Sequence, residues 1–190
     1  MNKFSRRIYL DNNIITYVRN FLKKNLPKNV KTAIEMASLV FISNIKSIDI
    51  EFLLSEESLA EIRQLPKSSI RRRELEIVYY MLKEGKSVIR NSSVTYSDPI
   101  ATYNSPDILY SHPYDDTDLN SVKFFLASKG NRNDFDARYI ANAMLSANKI
   151  DVFITIDKKS LWRHRKQIKE LFNVTIKLPS EEAECLKFVW

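Results

Sequence analysis

The apolar positions change period several times along the chain. Ile8, Tyr9 and Leu10 form an unbroken run, the pattern of a buried strand. Just beyond Asn13 the spacing changes: Ile14, Ile15, Val18, Phe21 and Leu22 fall on one helical face, and Pro27 ends that helix. Val30, Ile34, Ala37 and Phe41 continue at helical spacing, although "SLVFIS" also reads as a short strand. "SIDIEFLLS" predicts a strand, "EESLAEIRQL" the helix after it, closed by Pro66, and Ile70 to Glu84 a charged helix. From Lys86 to Thr117 the periodicity fails, and this stretch holds three of the six prolines and Tyr96, Tyr103, Tyr110 and Tyr114. Helices are expected again from about Asp118 to Lys129 and from about Asp134 to Asn148. "IDVFITI" is the clearest buried strand, followed by a basic helix from Lys159 to Leu171, a strand "NVTIKL" and a short helix "SEEAECL". Strands separated by helices predict an α/β protein, a three-layer α/β/α arrangement around a mainly parallel sheet. One domain over residues 1–190 is expected, with an irregular insertion around 86–117.

Composition removes several chemistries. Only Gly85 and Gly130 are glycines, so a glycine-rich phosphate loop is ruled out. Each follows an expected helix and suits a cap beyond its C-terminus. The two histidines, His112 and His164, form no Ser-His-Asp or Cys-His pattern. A single cysteine, Cys185, makes neither an internal disulfide nor a cysteine zinc site and suits a reducing cytoplasm. No apolar run approaches the ~20 residues that span a bilayer, and Ile8 to Leu10 is too short for a secretory leader. A formal charge of +7 favours a polyanionic partner.

Four acids stand where an α/β sheet binds ligands, beyond the carboxyl ends of strands. Asp11 ends the first strand and Asp157 follows "FITI". Glu61 lies on the helix after the second strand, and Asp136 opens the helix before "IDVFITI", on one face with Ile140, Ala143 and Ala147. Converging carboxylates repel unless a cation joins them, and oxygen donors suit Mg2+ or Mn2+. Each acid also has a structural reading. Asp11 and Asp157 suit N-caps, Ser58 to Glu61 matches a capping box, and Asp136 suits a first helical turn. Asp134 competes with Asp136, since residues two apart on a helix point about 200° away from each other. A further cluster, Asp115, Asp116 and Asp118, suits the cap of the helix that begins there.

These segments resemble, in order and spacing, the blocks of PIN-domain nucleases. "IYLDNNIITY" is similar to the opening strand and acid, "SEESLAEI" to the second block with its terminal Glu, "DFDARYIANAM" to the third and "DVFITID" to the fourth. The resemblance covers roughly residues 6–24, 48–65 and 132–178; the middle of the chain has no counterpart, and Asn12 stands where a small hydroxyl residue is frequent. It implies a PIN-like fold in which Asp11, Glu61, Asp136 and Asp157 hold Mg2+ or Mn2+ as the catalytic quartet, supported by Asn13 and Thr155. The implied activity is a ribonuclease, in-line hydrolysis of a phosphodiester that leaves a 5′-phosphate and a 3′-hydroxyl, with Asp136 or Glu61 as a proton acceptor.

Arg19, Lys23 and Lys24 on the first helix, and Lys158, Lys159, Arg163 and Arg165 after Asp157, are candidates for guiding a nucleic-acid backbone. RNA is the expected substrate, with DNA open, and the loop tyrosines suit base stacking. Family habit adds an antitoxin-like protein or a second copy as partner, in the role of a toxin or of an RNA-processing enzyme. The alternative is a non-catalytic nucleic-acid-binding or regulatory module that keeps the fold. An aspartyl-phosphate phosphatase needs an acid at position 13, where this chain has Asn13.

Overall fold

The computed structural model describes residues 5–25, 27–45, 47–84, 116–145 and 149–187. The four loop tyrosines, Asp115 and Gly85 therefore lie outside the described residues. The sheet has the order β2-β1-β3-β4, with β1 (Ser5–Leu10), β2 (Asp49–Leu53), β3 (Val152–Ile154) and β4 (Ile176–Lys177), and every neighbouring pair is parallel. Parallel pairing follows from the helices between the strands. These are α1 (Asn12–Leu22) and α2 (Val30–Asn44) after β1, then α3 (Glu56–Arg63), α4 (Ile70–Glu84), α5 (Asp116–Ser128) and α6 (Asp134–Met144) after β2. A 3-10 turn (Trp162–His164) and α7 (Arg165–Phe172) join β3 to β4, and α8 (Pro179–Lys187) follows. Among the described residues no helix is long and apolar enough to cross a membrane.

Strand alternation builds the layers. Ile8, Leu10, Val152 and Ile154 pack with α1, α2, α4 and α8 on one face, while Tyr9 and Phe153 meet α5, α6 and α7 on the other. The fold is therefore an α/β/α sandwich with a core on each side of the sheet.

Three sequence expectations are corrected. "SLVFIS" is helix, as the continued spacing predicts, but the buried face of α2 is Glu35, Leu39, Ile42 and Ser43, whereas Val30, Ile34 and Ala37 are exposed and only Phe41 of the expected stripe packs, half-buried, against the core. A buried carboxylate occupies the slot that periodicity reserves for an apolar residue. Glu35 accepts from the backbone N–H of Ser180 at 2.9 Å and from its hydroxyl at 3.1 Å, and Lys158 Nζ donates to it at 3.2 Å. It thus satisfies the start of α8. Glu35→Ala is expected to cost about 1–3 kcal/mol, read by urea unfolding, because Ser180 loses both acceptors. A change below about 0.5 kcal/mol would contradict this account of Glu35.

The second correction is at α6, which stops at Met144, where Leu145 turns extended at ψ 115, short of Asn148. The third is in the expected basic helix, whose first residues are turns. Asp157 caps them, accepting from the backbone N–H groups of Lys159 at 3.0 Å and Ser160 at 3.1 Å. Regular α-helix begins only at Arg165.

Candidate functional site

From β1 the chain steps to β2 on one side and returns through β3 on the other, so the crevice of the sheet lies between the ends of β1 and β3. Asp11 stands there. Its backbone N–H donates to Ile154 O at 3.0 Å. It occupies the N-cap position of α1, but its side chain caps nothing in that helix. Instead Oδ2 accepts from the Thr155 hydroxyl and, at 2.5 Å, from Asn13 Nδ2. Asn13 also reaches Thr155 Oγ1 at 3.2 Å and accepts from the Ile156 N–H at 3.2 Å. The ends of two parallel strands are thereby tied around one carboxylate. Thr155 Oγ1 in turn accepts from the Asp157 N–H at 2.9 Å, which links Asp157 to the same knot.

Asp136 reaches the site from α6. The residues before it form a Schellman cap on α5: Gly130, at φ 81, donates to Ala127 O at 3.0 Å, and Asn131 donates to Leu126 O at 2.9 Å. That turn presents Asn131 Nδ2 to Asp136 Oδ2 at 2.7 Å, while Asn133, the N-cap of α6, gives Nδ2 to Oδ1 at 3.0 Å. Asp134 points elsewhere. It pairs with Lys123 at 2.5 Å and Arg138 at 2.6 Å, in the open, and these cations hold its carboxyl below the ordinary value. Of the two acids, Asp136 is the buried one and lies within reach of the charges of Glu61 and Asp157.

The capping-box reading of Glu61 does not hold. Ser55, not Ser58, is the N-cap of α3, and Ser58 lies inside the helix. Glu61 Oε2 accepts instead from the Tyr139 hydroxyl at 2.5 Å, across the interface with α6. Asp157 does cap its own turn, with a further hydrogen bond from the Ser160 hydroxyl.

Two of the four acids, Asp11 and Asp136, are raised above the ordinary carboxyl value. Burial pushes the Asp11 carboxyl up to about 7, with the charges of Asp136 and Glu61 adding and the Thr155 and Asn13 hydrogen bonds opposing. Burial likewise pushes Asp136 up to about 6, reinforced by Asp157 and Glu61 and opposed by Asn131 and Ser160. Asp11 and Asp136 are 4% and 8% exposed, so water screens little of this repulsion. Each acid meets a hydroxyl or amide of its own. As placed, no three His, Cys, Asp or Glu side chains among the described residues meet at metal-ligand spacing. The donor chemistry nevertheless fits a hard divalent cation: four carboxylates, mostly sequestered, at one end of a parallel sheet.

The basic candidates divide. Arg19 and Lys23 both pair with Glu74 of α4, Lys23 at 2.6 Å, and with Lys24 they stand roughly 12–20 Å along α1 from Asp11. Lys158 is tied to Glu35. Arg165 lies over the Trp162 ring at 3.9 Å and 3.9 Å from Glu181. Lys159 and Arg163 are exposed on the segment that Asp157 opens. Sequence reasoning passed over the partners of the acids, Asn131, Asn133, Ser160 and Tyr139, and also Arg132, exposed between the two asparagines that hold Asp136. The signal was present in "GNRNDFD", where a glycine turn and a capping asparagine precede the acid.

Nothing matches. A scan against protein-family models, a search of curated proteins and a search of solved structures each return no similar protein.

Proposed function

We propose that this chain is a divalent-metal-dependent nuclease of PIN-like fold that hydrolyses RNA at Asp11, Glu61, Asp136 and Asp157. The observation that carries the reading is the burial of two carboxylates, Asp11 and Asp136, from distant segments of the chain and beside Glu61 and Asp157. Burial raises the Asp11 carboxyl to about 7 and the Asp136 carboxyl to about 6, and neighbouring acids add to it, Asp136 and Glu61 at Asp11, Asp157 and Glu61 at Asp136. A fold that needed these residues only as caps gains nothing from burying them together, whereas a cation site does. The parallel sheet and the position of Asp11 at its crevice support the PIN-like reading.

A bound Mg2+ or Mn2+ supplies neutralisation of phosphate charge and acidification of water. The protein's own residues do the rest. Thr155 and Asn13 fix the Asp11 carboxylate, and Asn131 and Asn133 fix Asp136. Lys159, Arg163 and Arg132, exposed and without an ion pair among the described residues, offer cations to the phosphates on either side, in place of the α1 residues already paired with Glu74. Replacing Lys159 and Arg163 together by Ala is expected to weaken RNA binding and to lower the slope of log affinity against log salt by about 1–2. An unchanged slope would remove them from the interface.

The function is tested by incubating the purified protein with labelled single-stranded RNA and DNA, with and without Mn2+. Cleavage of RNA that requires the ion supports the proposal. Binding without turnover would favour a non-catalytic module.

A further inference from the structure

Tyr139 is fully buried, in an aromatic cluster whose other members are Tyr9, 6.2 Å away between ring centroids and edge-on, and Phe153, at 6.2 Å. Phenylalanine would fill that space. A hydroxyl there needs a partner, because a buried one left unpaired forfeits its hydrogen bond to water and gains none in return. Its partner is a carboxylate of the candidate site, Glu61 Oε2, at 2.5 Å. Tyr139 also follows Asp136 by three residues on α6, so both project from the same side of one helix.

The contact is one rung of two between α3 and α6. Asn142 Nδ2 donates to Glu57 Oε2 at 2.8 Å, one turn further along each helix. As residue numbers rise on α3 they fall on α6, so the helices run antiparallel, and their interface carries two acids met by two donors. Only the Glu61 rung belongs to the quartet. A carboxylate on a short helix has several rotamers, and a fixed donor on one oxygen selects among them and leaves the other oxygen for a ligand.

We infer that Tyr139 is a positioning residue, whose hydroxyl aims the Glu61 carboxylate at the cation shared with Asp136 and Asp11. One helix thus supplies both an acid and the donor that orients its neighbour. The inference rests on the metal-dependent reading of the site.

Calorimetric titration of Mn2+ into Tyr139→Phe, Tyr79→Phe, Asp11→Asn and the parent protein tests it. Tyr79 is the control: it too is a buried tyrosine, but its hydroxyl donates to a carbonyl, Ser55 O at 3.1 Å, and touches no carboxylate. Tyr139→Phe is expected to weaken Mn2+ binding about tenfold or more, with Tyr79→Phe within about twofold of the parent. In RNA cleavage the same variant should need correspondingly more Mn2+ for half-activation, while its rate at saturating Mn2+ stays within a fewfold. Parent-like affinity in Tyr139→Phe, or equal losses in both tyrosine variants, would overturn the positioning role. Equal Mn2+ binding by the parent and Asp11→Asn would overturn the metal site itself, a distinct result.

Discussion

Asp11→Asn is expected to reduce Mn2+-dependent RNA cleavage by about a thousandfold or more while leaving the protein folded. The amide keeps an oxygen that accepts from Thr155, so the knot between β1 and β3 survives. What disappears is the charge. A ligand that helps hold a catalytic cation contributes several kcal/mol to the transition state, and about 1.4 kcal/mol is a factor of ten in rate. The same substitution removes a buried charge that repels Asp136 and Glu61, so the metal-free variant should melt higher than its parent. Lost activity combined with gained stability separates a functional acid from a structural one. A variant that cleaves at the parental rate would exclude Asp11 from the site, and one that melts lower would mark Asp11 as a structural acid.

The second large effect is on stability against pH in the absence of divalent ions. Asp11 and Asp136 bind protons more tightly folded, at about 7 and about 6, than at the ordinary value of 3.8. Groups with raised folded values contribute stability that is complete below about 4 and is lost as pH rises through 6 to 7. The metal-free protein should therefore be more stable at pH 5.5 than at pH 8. Because the two carboxyls share part of one repulsion, their effects do not simply add, and the difference is on the order of 2 kcal/mol. For a chain of this size that is a melting shift of roughly 4–8 °C. Glu74 and Asp134, held below the ordinary value by their cations, act oppositely and only in more acidic solution. Mn2+ added at pH 8 should restore most of the lost stability, and Asp11→Asn should flatten the pH profile. Melting that is independent of pH between 5.5 and 8 would show that burial and neighbouring charge raise neither carboxyl.

The sequence disclosed the framework better than the contacts. Parallel strands separated by helices were legible from period alone, because a strand buried on both faces is a continuous apolar run, as at Ile8 to Leu10 and Val152 to Ile154. Asp11 and Asp157 were legible as acids that follow such runs, whereas Glu61 and Asp136 stand on helices. Partners distant in the chain were not legible. Nothing local to Arg19 and Lys23 announces Glu74, over fifty residues away, so their availability to a ligand was overestimated. Glu35 broke the apolar stripe of α2 for a reason that lies at Ser180. Ser58 to Glu61 had the spacing of a capping box, yet α3 begins three residues earlier because Ser55 takes the N-cap, where the Tyr9 hydroxyl meets its Oγ at 2.7 Å. Short-range rules rank local candidates, and tertiary hydrogen bonds decide between them.

Anomalous scattering from crystals soaked in Mn2+ locates the ion directly. A peak bounded by the carboxylates of Asp11, Glu61, Asp136 and Asp157, absent in Asp11→Asn crystals, is the predicted result. An ordered quartet with no peak among its oxygens at millimolar Mn2+ would contradict it.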